Sequence, residues 1–335
     1  MSFNHININI CLTTYNGKSR LSQTLFYLSN LNINNFKSVE LIVVDNASND
    51  GTSDFVKTKW EEFGNKFPLI LVRLEENDLP KARKTAMDLA DGDFVITCDD
   101  DNLFPVNYLE LGVQYFLKNP RIGVLGAQGM VKSNISIPEW FHKYSYYFGC
   151  SPQAPNTGNV YPTRNVVYGA GMWHRNVVYK LISKIGFKYI LKSREIGKLG
   201  CGDDGELCWA IKFAGYEIWY ADDLVFEHFV PDYKLTKDYL NNLLNYHNIN
   251  GPYGNLHNRV YKNQLTAIKK YFWLREFVFY FMYLFQIPFL KFKNQKPELK
   301  RVLRSMKILL IDRGKYDESI KFLIDFKNKL DKISK

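Results

Sequence analysis

Four short apolar, β-rich runs set what this 335-residue chain can become. They are Ile6 to Thr13, Val39 to Val44, Leu69 to Leu74 and Phe94 to Cys98. Helix-like sequence lies between them, from Ser19 (a candidate N-cap) to about Leu31 and again from Pro80 to Asp91. All four read as strands, the second and fourth as buried ones. Strands alternating with helices imply an α/β fold with a parallel sheet. Ligands of such sheets bind beyond the carboxyl ends of the strands. Asn16, Asp45 and the three aspartates 99 to 101 would gather at that edge.

The fourth run ends in Asp99-Asp100-Asp101. Three adjacent carboxylates repel one another unless a cation or other positive group neutralises them. Residues 99 and 101 point the same way if the chain stays extended there. A hard divalent ion completed by phosphate oxygens suits that pattern; so does an acidic turn capping the next helix. Neither G-x-G-x-x-G nor G-x-x-x-x-G-K-[ST] follows the first strand, which argues against an ordinary dinucleotide site and a P-loop. A nucleotide remains compatible with Asp45, whose carboxylate can accept from a base or ribose, and with Thr14-Tyr15-Asn16, where Tyr15 offers a flat face. The stretch Asp45 to Thr52 reads equally as a polar helix-capping loop.

Helix-like sequence runs from Pro105 to about Asn119, and Ile122 to Val131 is strand-like. Residues 132–164 are Pro- and Asn-rich, with Trp140, Phe141, Tyr144, Tyr146, Tyr147 and Phe148 in the first half. Long loops of this kind serve as lids or binding loops. Their aromatic rings suit either sugar faces or packing of the loop itself. Gly169-Ala-Gly-Met-Trp173 permits close backbone approach. The acids of Gly202-Asp-Asp-Gly-Glu-Leu207 stand at the start of a helix through Ala214, where they fit either the helix dipole or a general base. A strand from Gly215-Tyr216 to Tyr220 precedes His228, a lone histidine that is structural unless it lies beside a metal.

The motif order resembles that of family 2 glycosyltransferases of the GT-A fold. The resemblance covers about residues 6–230. It rests on Leu12-Thr-Thr-Tyr-Asn16, Val44-Asp-Asn-Ala-Ser-Asn-Asp-Gly-Thr52, Ala90-Asp-Gly-Asp-Phe-Val95 leading into Asp99-Asp-Asp101, Gly169-Ala-Gly-Met172, Gly202-Asp-Asp-Gly-Glu-Leu207, Ala214-Gly-Tyr216 and Glu227-His228. It implies a GT-A domain over 1–232, with a nucleotide-sugar-binding half at 1–105 and an acceptor-side half at 106–232, followed by a helical region at 233–335. It also implies sugar transfer with inversion from a nucleoside-diphosphate sugar, UDP favoured, to a glycan or lipid-linked acceptor in cell-surface polysaccharide biosynthesis. Carried over by position, Asp45, Thr14, Tyr15, Asn16, Arg83, Asp99, Gly171 and Trp173 would attend the donor. Asp99 and Asp101, with His228, would hold Mn²⁺ or Mg²⁺ as the DXD motif, and Asp204 would be the base. Asp203 stands where the family has Glu, so the base lies within the pair 203–204. Lys84 stands where Asn is common, which places a cation either near the diphosphate or on a solvent-facing helix.

Two other classes compete. A sugar nucleotidyltransferase calls for a Gly-rich, basic loop after the first strand, and Thr13 to Lys18 does not supply one. A nucleic-acid-binding protein calls for a hydrophilic basic tail. The net charge of +10 does reside in the tail: from Asn255 onward there are 19 Lys+Arg against 7 Asp+Glu. That tail is strongly apolar as well, so nucleic acid is not expected. Its uninterrupted apolar core, Phe277 to Phe285, is too short to span a bilayer. With its flanking lysines, the stretch 269–310 fits either a helix lying at a membrane surface or soluble packing on the catalytic domain or a second subunit. The five cysteines show no CxxC spacing, and Met1-Ser-Phe-Asn-His lacks a signal-peptide layout. The expectation is a cytoplasmic protein, peripheral at the inner face of the membrane.

Overall fold

A computed structural model describes residues 3–191, 202–247, 251–263, 271–289 and 292–333. The chain runs β1 (Phe3–Thr14), α1 (Leu21–Ser29), β2 (Phe36–Asp45), α2 (Thr52–Glu62), β3 (Leu69–Arg73), α3 (Leu79–Leu89) and β4 (Phe94–Asp99). It continues with β5 (Asn102–Leu103), α4 (Tyr108–Lys118), β6 (Ile122–Lys132), α5 (Glu139–Tyr144), β7 (Gly158–Asn159), β8 (Trp173–Arg175), α6 (Asn176–Ile185), α7 (Asp203–Phe213) and β9 (Glu217–Phe229). Five helices follow: α8 (Lys237–His247), α9 (Leu256–Tyr261), α10 (Phe272–Leu284), α11 (Phe292–Ile311) and α12 (Arg313–Ile333).

One sheet, in the order β3-β2-β1-β4-β8-β6-β9-β5 with β7 beside β9, carries the fold. Strands β1 to β4 are parallel, and β6 pairs parallel with β9. The short β8 joins these halves by antiparallel pairing to β4 and β6. The register aligns Thr14 with Asp45 and Thr13 with Asp99, so the polar ends of three strands form one edge. Apolar clusters pack on both sheet faces, as strands apolar throughout require.

Local differences from the sequence reading have local causes. Ser19 does not cap α1, which starts two residues later from Arg20 without a side-chain cap. Helix α3 is capped by Asp78, which accepts from Lys81 N–H, with Pro80 in the first turn and no capping role for Pro80 itself. The stretch expected to be irregular holds α5, a 3₁₀ turn at Ser145–Phe148 and β7. The strand near Tyr220 continues through a register shift to Phe229, so His228 lies within it.

The C-terminal helices share the core of the sheet domain. Ile320, Leu323, Phe326 and Leu330 of α12 are buried in the cluster that also holds Phe187, Phe213 and Ile218. No helix among the described residues is long and apolar enough to cross a membrane. Lys269, Lys270, Leu290 and Lys291 of the tail, and Cys201, lie outside the described residues; the other four cysteines are buried free thiols.

Candidate active site

A cleft of about 1160 Å³ opens at the carboxyl edge of the sheet. Its first wall is the β1–α1 turn, Thr14 to Asn16. Asn16 takes a left-handed conformation, donates its N–H to Ser48 Oγ (2.8 Å) and accepts from Asn49 N–H at Oδ1 (2.9 Å). Gly17 is required next to it, because a Cβ there would stand 2.0 Å from Thr14 Oγ1. Asp45 is buried behind this wall and does not line the cleft. Its carboxylate accepts from Ser48 N–H (2.9 Å) and from the Ser53 hydroxyl. The next residue, Asn46, lines the cleft instead, held against Asn77 (2.8 Å) and the Asp78 N–H (2.8 Å).

The floor is the acidic turn. The strand ends at Asp99 and turns through 100 and 101, so the extended alternation that would align 99 with 101 is not kept. Each carboxylate meets a cation of its own. Asp99 pairs with Arg83 (3.0 Å), Asp100 with Arg20 (2.7 Å) and Asp101 with both His228 Nε2 (3.1 Å) and Lys234 (3.2 Å). Thr14 Oγ1 also donates to Asp100 (2.6 Å). Register explains the histidine: Asn102 of β5 pairs with His228 of β9, which sets the imidazole beside Asp101.

Burial alone would raise the Asp101 carboxyl. The charges of His228 and Lys234 outweigh it and hold Asp101 well below the usual carboxylate range. Burial likewise opposes charge on His228, yet the Asp101 carboxylate keeps the imidazole protonated well above its ordinary value. Asp100 shows the opposite balance, with burial raising it against the pull of Arg20.

The far wall is the start of α7. Arg83 reaches across it, donating to Asp203 (2.5 Å) as well as Asp99. Asp204 accepts from Gly169 N–H (2.9 Å) and Gly205 N–H (2.8 Å). Burial and then the neighbouring Asp203 charge raise its pKa, with Arg83 partly offsetting them. Glu206, one turn into α7, is buried and pushed up to about 8, while accepting from Ile190 and Leu191 N–H. Gly202, with φ of 128°, supplies the backbone entry to this turn.

The cleft therefore brings together Thr14, Tyr15, Asn16, Arg83, Asp99, Asp101, Asp203, Asp204 and His228. It excludes three residues expected at the donor: Asp45, which stands behind the first wall, Trp173 and Gly171. Trp173 is fully buried between β4 and β6, packed against Tyr108 and Phe116. Gly171 lies in the same core, its carbonyl accepting from the Tyr108 hydroxyl (2.7 Å). Lys84 pairs with Asp88 on the half-exposed face of α3, away from the cleft. Arg20, Asn46, Asn77, Arg164 and Lys234 line the cleft without having been singled out in the sequence. Asn46, inside the motif Val44 to Thr52, and Arg20, just beyond the suspected turn of Thr14 to Asn16, carried a sequence signal; the other three did not.

The donor set can be tested against a divalent ion. Asp101 and His228 combine a carboxylate with an imidazole in contact at 3.1 Å. That pair fits Mn²⁺ or Mg²⁺ once the imidazole has given up its proton and diphosphate oxygens complete the shell. No group of three potential ligating side chains occurs among the described residues.

Residues 9–179, slightly more than half of the 335-residue chain, match the family model described as Glycosyl transferase family 2. The uncharacterized glycosyltransferase YfnE of Bacillus subtilis (strain 168) is 35% identical over 96 residues, which are 28% of this chain and 23% of that protein. The chain thus spans less than a quarter of that curated relative's length. Among solved structures, S. aureus TarS 1–349 matches with a TM-score of 0.51 at 15% identity, covering 97% of this chain and 92% of that one. Its complex with UDP-GlcNAc matches with a TM-score of 0.50 at 15% identity over the same shares. At that identity the likeness is one of fold. Taken with the family match, it makes this chain a glycosyltransferase of GT-A fold belonging to glycosyl transferase family 2.

Proposed function

We propose that the chain moves a sugar from a nucleoside-diphosphate sugar to a hydroxyl of a glycan or lipid-linked acceptor, with inversion at the anomeric carbon, in the assembly of a cell-surface polysaccharide. The observation that carries this reading is the position of Arg83. By pairing with both Asp99 and Asp203, it holds the acidic turn and the start of α7 in one cleft. A uridine donor is favoured by the UDP and UDP-GlcNAc complexes of TarS.

In this reading the β1–α1 turn and Asn46 hold the nucleotide, and Asp45 acts from behind by fixing the loop that presents Asn46. The acceptor hydroxyl loses its proton to Asp204 as it attacks, and the Gly169 N–H keeps that carboxylate aimed into the cleft. A single displacement needs no covalent enzyme nucleophile. Negative charge grows on the departing diphosphate, where Arg20, Arg83 and Lys234 already place positive charge. Asp101 and His228, with Asp99 nearby, would hold the Mn²⁺ or Mg²⁺. When bound, such an ion supplies Lewis-acid neutralisation of that diphosphate. Donor binding releases the aspartates from their present cations, since the same cations face phosphate oxygens once a donor enters. The basic, aromatic C-terminal helices are proposed to rest on a membrane surface, which would set the cleft near a lipid-linked acceptor.

The test is a panel of nucleotide sugars with Mn²⁺, scored by release of nucleoside diphosphate and by transfer. Asp101→Ala and Asp204→Asn are expected to lower transfer by about 10²- to 10⁴-fold, the range for lost acid–base or electrostatic groups, with the circular dichroism unchanged. Near-normal turnover in either variant removes that residue from its role.

A further inference from the structure

Five Arg and Lys side chains line the cleft: Arg20, Arg83, Arg164, Lys234 and Arg301. Four of them have a carboxylate partner. Arg164 has none among the described residues. Its Nε donates to the Val166 carbonyl (2.7 Å) and its Nη1 to the Gln153 carbonyl (3.4 Å). The guanidinium also lies over the rings of Tyr146 and Tyr168, 5.0 and 4.5 Å from their centroids. Carbonyl dipoles and π faces hold a guanidinium in a fixed plane without cancelling its charge.

Its place in the cleft is specific. Tyr168 directly precedes Gly169, whose N–H orients Asp204. Tyr168 is itself fixed, its N–H donating to Gln153 Oε1 (2.7 Å) and its hydroxyl in contact with Ser151 Oγ (3.1 Å). Tyr146 meets Tyr168 edge-on, with ring centroids 5.6 Å apart. The charge and the two rings therefore stand on the α7 side, next to the candidate base. The turn of Thr14 to Asn16 is a separate wall of the cleft. The acids near Asp204 would repel an anionic ligand unless a cation of this kind met it.

We propose that Arg164, with Tyr146 and Tyr168, forms an acceptor subsite for a saccharide bearing an anionic oxygen group, a phosphate or a carboxylate. The tyrosines supply ring faces to a sugar, and the guanidinium supplies the fork that pairs with the oxyanion. The assignment rests on the transferase reading and adds to it the class of acceptor.

The test uses full-length protein loaded with UDP and Mn²⁺, titrated with glucose, glucuronic acid and glucose 6-phosphate and followed by saturation-transfer NMR. One charge-assisted hydrogen bond predicts about tenfold tighter binding of an anionic probe than of glucose. Arg164→Gln should bring the probes to similar affinity. Arg164→Lys, which keeps the charge but loses the fork, should retain part of the preference. Preference for glucuronic acid alone or glucose 6-phosphate alone supports the assignment and identifies the oxyanion. If wild type binds glucose as tightly as both anionic probes, or if Arg164→Gln keeps the preference, the assignment is overturned. UDP binding to Arg164→Gln reports whether the loop still folds; if that variant is unfolded, the wild-type preference and Arg164→Lys decide. Wild type that binds no UDP would overturn the transferase reading and this assignment with it, whereas UDP binding without charge discrimination overturns this assignment alone.

Discussion

Asp203 and Asp204 are neighbours in sequence and opposites in environment. Asp203 gives its carboxylate to Arg83 at 2.5 Å, while Asp204 faces the cleft with two backbone N–H groups. Burial, and then the like charge next door, raise Asp204 above the ordinary aspartate value. A base must be deprotonated to act, so a raised pKa moves the acid limb of the pH–rate profile to higher pH. Asp203→Asn removes the like charge and leaves Arg83 less neutralised. Both changes favour ionised Asp204, so the acid limb should shift to lower pH. The check is kcat/KM against pH for wild type and variant. An unmoved limb, or one moved upward, would separate that limb from Asp204. The acids of this pair were legible in the sequence. Their separate roles were not, because Arg83 lies 120 positions before Asp203 and only the folded chain brings them together.

At the scale of elements, the parallel half was legible because a strand buried on both faces must be apolar along its whole length. Strands β1, β2 and β4 carry that signature, while β3 at the sheet edge is apolar but only half-buried; the ends of all four fall within a few residues of the expected positions. Strand β8, at three residues, carries no such signature, yet it joins the two halves of the sheet. The family resemblance put its Trp173 at the donor, but the small residues around it serve packing. Gly112 of α4 lies under the indole, and a Cβ there would stand 2.3 Å from the ring. In Gly112→Ala, helix propensity contributes up to about 1 kcal/mol of stability. Overpacking a buried indole costs about 1–3 kcal/mol. Net destabilisation, read as a lower urea midpoint, is the expected outcome. A more stable variant would show that Trp173 shifts freely. The β5–β9 pairing was also hidden: a two-residue strand cannot be recognised alone, so the family resemblance brought His228 to Asp101 without the register that places it there.

For the whole molecule the open choice in the sequence was whether the C-terminal region meets the catalytic domain or an outside surface. The helices do the first with one face and leave another uncovered. Phe272, Glu276 and Tyr280 of α10 are buried, Glu276 against Arg259. On the other side Leu274, Val278, Phe281, Met282 and Phe285 recur at helical spacing and are exposed, Phe285 by 67%, with Phe289 beyond them at 89%. Exposed cations on α11, Lys296, Lys300, Arg304 and Lys307, add positive charge to the same region of the chain. Bulky apolar side chains accompanied by basic ones match the requirements of an anionic leaflet, where burial of the rings and attraction of the lysines act together. Vesicles containing anionic lipid should therefore co-sediment the protein, and neutral vesicles should do so more weakly. Replacing Phe281 and Phe285 together by Ser should abolish binding to both, while raised salt should weaken only the anionic case. No binding to either vesicle would reject the membrane face. Dimers in light scattering that the same double substitution dissolves would assign these side chains to a second subunit instead.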